Sequence, residues 1–281
     1  MTTNPRSALW IPLFDELADP LVAARLAAEA EEVGWHGFFV WDRLTWPEPV
    51  GRVADPWISL AAAAMATDSL RLGPMVTPLA RYRPAKLARQ TASLDRLSRG
   101  RLTLGVGLGG DAYGAEFART GEQVDGRVRA EMLDEALDIV TSAWSGRPVR
   151  HRGPHYLIDD LTFLPTPVQQ PRVPIWAAGN AGLRRPLHRA ASLDGFFPVE
   201  VRHPDQLAEI GETIRGLRPD RTAPFDLAMP LPPGVDPAAY VAAGATWCLT
   251  ELEPEASTLD RVRGVLRDGP TMPAPAEVLS S

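Results

Sequence analysis

Strand-like apolar runs alternate with helical stretches from one end of the chain to the other, and this alternation restricts the fold more than any other feature. The runs fall near 8–14, 37–42, 70–77, 102–107, 173–178, 194–198, 225–229 and 246–250. Between them, Asp19-Pro20, Asp55-Pro56 and Asp236-Pro237 each offer a capping carboxylate followed by proline at the first helical position. Pro84 and Pro204 open two more helices, and Gly34, Gly100 and Gly146 stand where helices should stop. Eight strands, each followed by a helix, read as an α/β fold of the (β/α)8 TIM-barrel type. The length of 281 residues suits one such barrel. A single domain over 1–281 is therefore expected, with a core from about 7 to 269 and ragged ends. The seventh unit is the weakest, because Pro224, Pro230, Pro232 and Pro233 crowd its strand.

One connection departs from the pattern. Residues 108–172, between the fourth and fifth strands, far exceed an ordinary barrel loop. They hold a glycine-rich loop (108–126), an amphipathic helix (127–144) with no helical pattern before Arg127, and a hairpin-like segment from Arg147 to Pro165. A second long loop, 43–54, follows strand two. Both leave the carboxyl ends of strands, where barrel enzymes build their sites.

The fourth strand, with Leu102, Leu104 and Val106 apolar at period two, runs into Gly105, Gly107, Gly109 and Gly110. Glycines at that end mean that something approaches the backbone where side chains would block it. Gly105, Gly107 and Gly110 also spell G-x-G-x-x-G. The dinucleotide fingerprint, however, needs a helix starting inside the glycines and a place at the start of its domain, and neither holds. The glycines read instead as the floor for a flat ligand.

Further candidates cluster at the same ends. Asp42, Arg43 and Trp46 follow strand two; a charged pair there reads as site lining or as an ion pair bracing the loop. Gly73, Pro74 and Pro78 suit a regular strand poorly, which predicts a bulge near Met75-Val76. Strand five ends in Ala178-Gly179-Asn180 before Arg184 and Arg185, small residues and cations that together suggest an anion site at a helix start. His151 and His155 are separated by Gly153 and Pro154, so a helical metal pair is not expected, and no metal is.

A net charge of −6 argues against nucleic acid as partner, and Lys86 is the lone lysine, which leaves arginine as partner for any phosphate. The lone Cys248 allows no internal disulfide, no apolar run reaches membrane length, and Met1 to Arg6 is no signal peptide. A cytoplasmic protein without membrane partners is expected. No Gly-x-Ser-x-Gly elbow or P-loop supports hydrolase or phosphate-transfer chemistry.

Taken together, Leu94-Asp-Arg-Leu-Ser98 with Gly100 to Gly110, Arg129 to Leu137, Gly153-Pro-His-Tyr156, Pro165 to Trp176, Asp194-Gly195 and Gly244 to Trp247 resemble the luciferase-like flavin-dependent oxidoreductases. The resemblance spans nearly the whole chain in order. It implies a flavin or deazaflavin at the carboxyl face, with the ring near Met75 and Val76, where the family often has a non-proline cis peptide. Gly107, Gly109, Ala178, Gly179, Asn180 and Arg184 would contact the cofactor. Two departures stand out. Leu108 occupies the position of an arginine in luciferases proper, and Asp42-Arg43 replaces the Asp-His of deazaflavin-dependent sugar-phosphate dehydrogenases.

The resemblance implies a monooxygenase using reduced FMN and O2 on a small-molecule substrate, with Asp42, Arg43 and Trp46 as catalytic candidates. A separate flavin reductase would supply the reduced FMN, and a homodimer is common in such families. The alternatives are a deazaflavin-dependent hydride-transfer enzyme that does not use O2 and a non-catalytic flavin-binding barrel.

Overall fold

The third strand is broken, and its two pieces form the two ends of the sheet. The structure, a computed structural model, describes residues 5–180 and 182–270. In chain order it holds β1 (Arg6–Ile11), α1 (Pro20–Glu32), β2 (Gly37–Val40), α2 (Pro56–Met65), β3 (Arg71–Pro74), β4 (Thr77–Pro78), α3 (Pro84–Leu97) and β5 (Leu104–Gly107). The insertion follows as α4 (Glu116–Thr120), α5 (Gly126–Trp144), β6 (Val149–Arg152) and β7 (Leu157–Leu161). The barrel then resumes with β8 (Ile175–Asn180), α6 (Arg184–Ala191), β9 (Gly195–Val199), α7 (Pro204–Leu217), β10 (Asp226–Leu231), α8 (Ala238–Ala242), β11 (Trp247–Glu251) and α9 (Leu259–Asp268). The main sheet is nine-stranded, in the order β3-β2-β1-β11-β10-β9-β8-β5-β4, with parallel pairing throughout. Its two ends, β3 and β4, are consecutive pieces of one strand path. A parallel bridge from Leu72 to Leu102 joins the seam.

The helix starts follow the sequence closely. Asp19 accepts from the Leu21 N–H and Asp55 from the Ile58 N–H, with Pro20 and Pro56 at the first helical position. At the third Asp-Pro the helix begins one residue later, at Ala238, which donates to Asp236. That helix, α8, buries none of its residues, in keeping with the weak seventh unit. Its strand is nevertheless regular, with Pro230 inside β10 opposite Leu249. Gly34, Gly100 and Gly146 have φ of +90°, +83° and +71°. β1 begins at Arg6, inside the end expected to be ragged, and the outermost residues of both ends lie outside the described residues.

In the insertion the amphipathic helix and the hairpin stand where expected. Glu135 on α5 holds the hairpin by accepting from the N–H groups of His155 and Tyr156 and pairing with His151 Nε2 at 2.8 Å. The reading of 108–126 as loop needs correction: α4 lies within it. Five residues are too few to show a period. The helix is set by its flanks instead, Ala115 at φ +51° and Gly121 at +75°, and by Asp111, which accepts from the N–H groups of Phe117 and Ala118.

The barrel interior is filled by Ala8, Phe39, Met75, Trp176, Phe197, Ala228, Trp247 and Leu249. Phe39 and Trp247 meet edge to face at 5.9 Å, and Trp176 lies 5.6 Å from Trp247. Each buried tryptophan removes ~150–250 Å² from water, roughly 4–6 kcal/mol before entropy is counted. Trp10, Val76, Ala178 and Val199 pack on this plug from the carboxyl side. The plug thus sets the floor of whatever site lies above it.

Candidate active site

Above the plug lies a pocket of about 180 Å³. Its walls are Trp10, Trp41, Met75, Val76, Pro78, Gly109, Ala178, Phe197 and Val199, and its charged groups are Asp42, Arg43 and Glu116. All come from carboxyl ends of strands or from the insertion, as a barrel active site requires. A groove of about 470 Å³ under the amino ends of β10 and β11 is roomier but lies away from those ends.

The charged groups form one buried network. Arg81, on the turn after β4, pairs through Nη2 with Asp42 Oδ1 and through Nη1 with Glu116 Oε2 at 2.8 Å. Tyr82 donates its phenolic O–H to Asp42 Oδ2 at 2.8 Å, and Trp57 Nε1–H donates to the Tyr82 oxygen at 3.1 Å. Glu116 also accepts from Arg43 Nη1 at 3.3 Å and from the Leu44 N–H at 2.9 Å. Burial pushes the Asp42 carboxyl up to about 6, against the pull of Arg81 and the Tyr82 hydrogen bond, while the negative charge of Glu116 adds to the rise. Burial likewise pushes the Tyr82 phenol up. Burial thus holds the Asp42 carboxyl, at the pocket wall, well above the ordinary carboxylate range.

Of the residues expected from sequence, the structure brings Asp42, Arg43, Met75, Val76, Gly109 and Ala178 to this pocket. The Met75–Val76 peptide is cis and lies in the gap between β3 and β4. Trp46 does not line the pocket. It stands behind Arg43, whose guanidinium carbon lies 5.0 Å from its ring centroid, and it stacks on Tyr113 at 4.7 Å and donates to Glu255 at 3.0 Å.

At the glycines of the floor, protein atoms also approach closely. A Cβ on Gly107 would meet Val76 Cγ2 at 2.7 Å, and one on Gly105 would meet the Pro74 oxygen at 2.5 Å. One on Gly109, where φ is +63°, would meet Phe117 at 2.6 Å. Gly179 makes room for Pro186, which a Cβ would meet at 2.4 Å. Asn180 is occupied with the Gly182 N–H and Glu200, and exposed Arg184 begins α6, whose first turn has no side-chain cap among the described residues. Arg81, Tyr82 and Glu116 escaped sequence reasoning. The available signal was Arg81-Tyr82 immediately after a strand end; Glu116 gave none, since it reaches the site through a helix too short to read.

The walls fit a flat ring. They are largely apolar, with the rings of Trp10, Trp41 and Phe197 among them, as a flat ring system requires. The enclosed volume is smaller than the ~300–1,000 Å³ of most ligand sites. The outer part of a large cofactor would therefore extend into the open mouth.

Among the described residues no helix is long and apolar enough to cross a membrane. Residues 17–253 match the family described as Luciferase-like monooxygenase. An F420-dependent hydroxymycolic acid dehydrogenase of Mycobacterium tuberculosis is 35% identical over 160 residues, covering 55% of this chain and 44% of that protein. An F420-dependent glucose-6-phosphate dehydrogenase of Kineococcus radiotolerans is 33% identical over 193 residues, 66% of this chain and 54% of its own. The chain spans about half the length of these curated relatives. Its fold is similar to that of a monooxygenase from Streptomyces bottropensis, with a TM-score of 0.78 and 19% identity over 93% of this chain and 96% of that one. The chain belongs to the luciferase-like monooxygenase family, whose members here include F420-dependent dehydrogenases.

Proposed function

We propose that the protein passes a hydride between a deazaflavin of the F420 type and the carbon of a small alcohol or carbonyl compound. Asp42 carries this reading. It lines the pocket, is 5% exposed, and has its carboxyl pushed up to about 6 by burial. An alcohol that gives up a hydride must also release its hydroxyl proton, and a carboxyl tuned toward neutrality is suited to take it. The F420-dependent relatives support the same assignment.

When bound, the deazaflavin would supply the hydride acceptor or donor, chemistry that no side chain offers. Met75 and Ala178 would bear on the inner edge of the ring, with the rest of the cofactor in the open mouth of the pocket. Tyr82 and Arg81 keep the Asp42 carboxyl oriented by engaging one oxygen each. The uncapped amino end of α6, with Arg184, would hold the cofactor's phosphate.

The test is anaerobic incubation with an oxidised deazaflavin and a panel of small alcohols, followed by visible absorbance. Bleaching that depends on one class of alcohol is the expected result. Oxygen uptake with reduced FMN, and none of this bleaching, would overturn the reading.

A second reading, a monooxygenase using FMN and O2 with a separate reductase, is favoured by Arg43. It stands where deazaflavin-dependent sugar-phosphate dehydrogenases show histidine, and a cation at the wall suits chemistry that develops negative charge.

A further inference from the structure

The mouth of the pocket holds two arginines, and they differ in what they have left to offer. Arg81 is 4% exposed and is engaged by Asp42 on one side and Glu116 on the other. Arg43 is 21% exposed, lines the pocket, and among the described residues has a hydrogen-bond partner only at Nη1. Its Nη2 and Nε remain as donors.

Arg43 is also held in place. Glu116 grips one end at 3.3 Å, while the ring centroids of Trp46 and Tyr113 lie 5.0 and 5.9 Å from its guanidinium carbon. Trp46 is itself fixed by the Tyr113 stack and by Glu255. A guanidinium clamped this way loses little freedom on binding and offers a planar fork, the geometry that matches a carboxylate. Beside it the pocket is apolar, with Val76, Pro78, Phe197 and Val199. A cavity near 150 Å³ is enough for benzene, so with the cofactor lying over the mouth, about 180 Å³ takes a substrate body of no more than one ring.

We propose that Arg43 is the substrate anchor and that the alcohol or carbonyl substrate is a small hydroxy or oxo acid, with its carboxylate on the free edge of Arg43 and an apolar body of no more than one ring against Val76, Pro78 and Phe197. Trp46 and Tyr113, which do not line the pocket, position the guanidinium from behind, and Glu116 fixes its Nη1 end. Arg81 cannot serve, because binding an anion there would require breaking a buried pair. The inference rests on reading this pocket as the substrate site, and its test needs neither cofactor nor turnover.

Benzoate and its neutral isostere benzamide are titrated into the purified protein, with binding followed by tryptophan fluorescence, since Trp10 and Trp41 line the pocket. Benzoate should bind more tightly than benzamide by about tenfold or more, as expected for a charge-assisted pair. Arg43→Gln should remove that preference while leaving benzamide affinity unchanged, and Arg43→Lys should recover part of it. Equal binding of the two probes to the unaltered protein would overturn the proposal, as would no benzoate binding at millimolar concentration. So would an Arg43→Gln variant that loses both probes equally, because Arg43 would then be only a brace for the loop. Failure of the hydride-transfer assay leaves these outcomes untouched, and the two ideas can fall separately.

Discussion

Arg81 and Glu116 meet at 2.8 Å across the gap between the broken third strand and the insertion that follows the fourth. Both are almost wholly buried, with 4% and 1% of their side chains exposed. The pair ties α4 to the barrel mouth and places a second carboxylate beside Asp42. Breaking a buried pair by removing one partner typically costs about 3–5 kcal/mol. Glu116→Ala should therefore lower the unfolding free energy by about that much in urea denaturation, whereas an exposed pair such as Arg99–Asp68 should cost almost nothing when Asp68 is replaced by Ala.

Asp42 should govern the pH profile. With its carboxyl near 6, hydride abstraction from an alcohol should rise with pH through about 6 as the carboxylate forms. Asp42→Asn should lower kcat by about 10²–10⁴ and flatten this limb. An Asn variant with the same limb would assign the titration to another group.

Glu116 raises the Asp42 value through its negative charge. Glu116→Gln removes that charge, so the limb should move to lower pH. Movement upward would mean that Glu116 acts chiefly by holding Arg81 against Asp42.

The same titration bears on stability. The folded Asp42 binds its proton more tightly than the ordinary value of 3.8, so between about pH 4 and 6 the native state holds the extra proton. This group therefore lowers stability as pH rises through that window and adds no further slope above it. Each unit of difference corresponds to about 1.4 kcal/mol. Thermal melts from pH 4 to 7 should show a shallower loss for Asp42→Asn than for the unaltered protein.

Gly107 and Val76 should behave as a coupled pair. A Cβ at Gly107 would sit 2.7 Å from Val76 Cγ2, so Gly107→Ala should cost about 1–3 kcal/mol by overpacking. Val76→Ala removes the obstacle, and the double variant should recover most of the loss in a mutant cycle. Simple additivity would show that the glycine is required for another reason.

Arg184→Ala should weaken a phosphate-bearing flavin or deazaflavin by about tenfold, and leave the analogue without phosphate unaffected. Equal weakening of both, read by fluorescence titration, would place the phosphate elsewhere.

The barrel was legible in the chain because its signals are local. Asp19-Pro20 and Asp55-Pro56 cap their own helices, and apolar runs mark strands that are buried on both faces. The break at Met75–Val76 was legible too, since Gly73, Pro74 and Pro78 act on their own backbone. Asp42 and Arg43 could be placed at the carboxyl end of strand two by topology alone. Which charges they meet could not, because Arg81 lies 39 residues from Asp42 and Glu116 lies 73 from Arg43. Ion pairing across such separations leaves no period in the sequence. The glycines show the same division: residues without side chains after strand four tell locally that backbone is approached at 105, 107 and 109. That Pro74, Val76 and Phe117 make the approach depends on closure of the chain around the barrel, which brings those distant residues there.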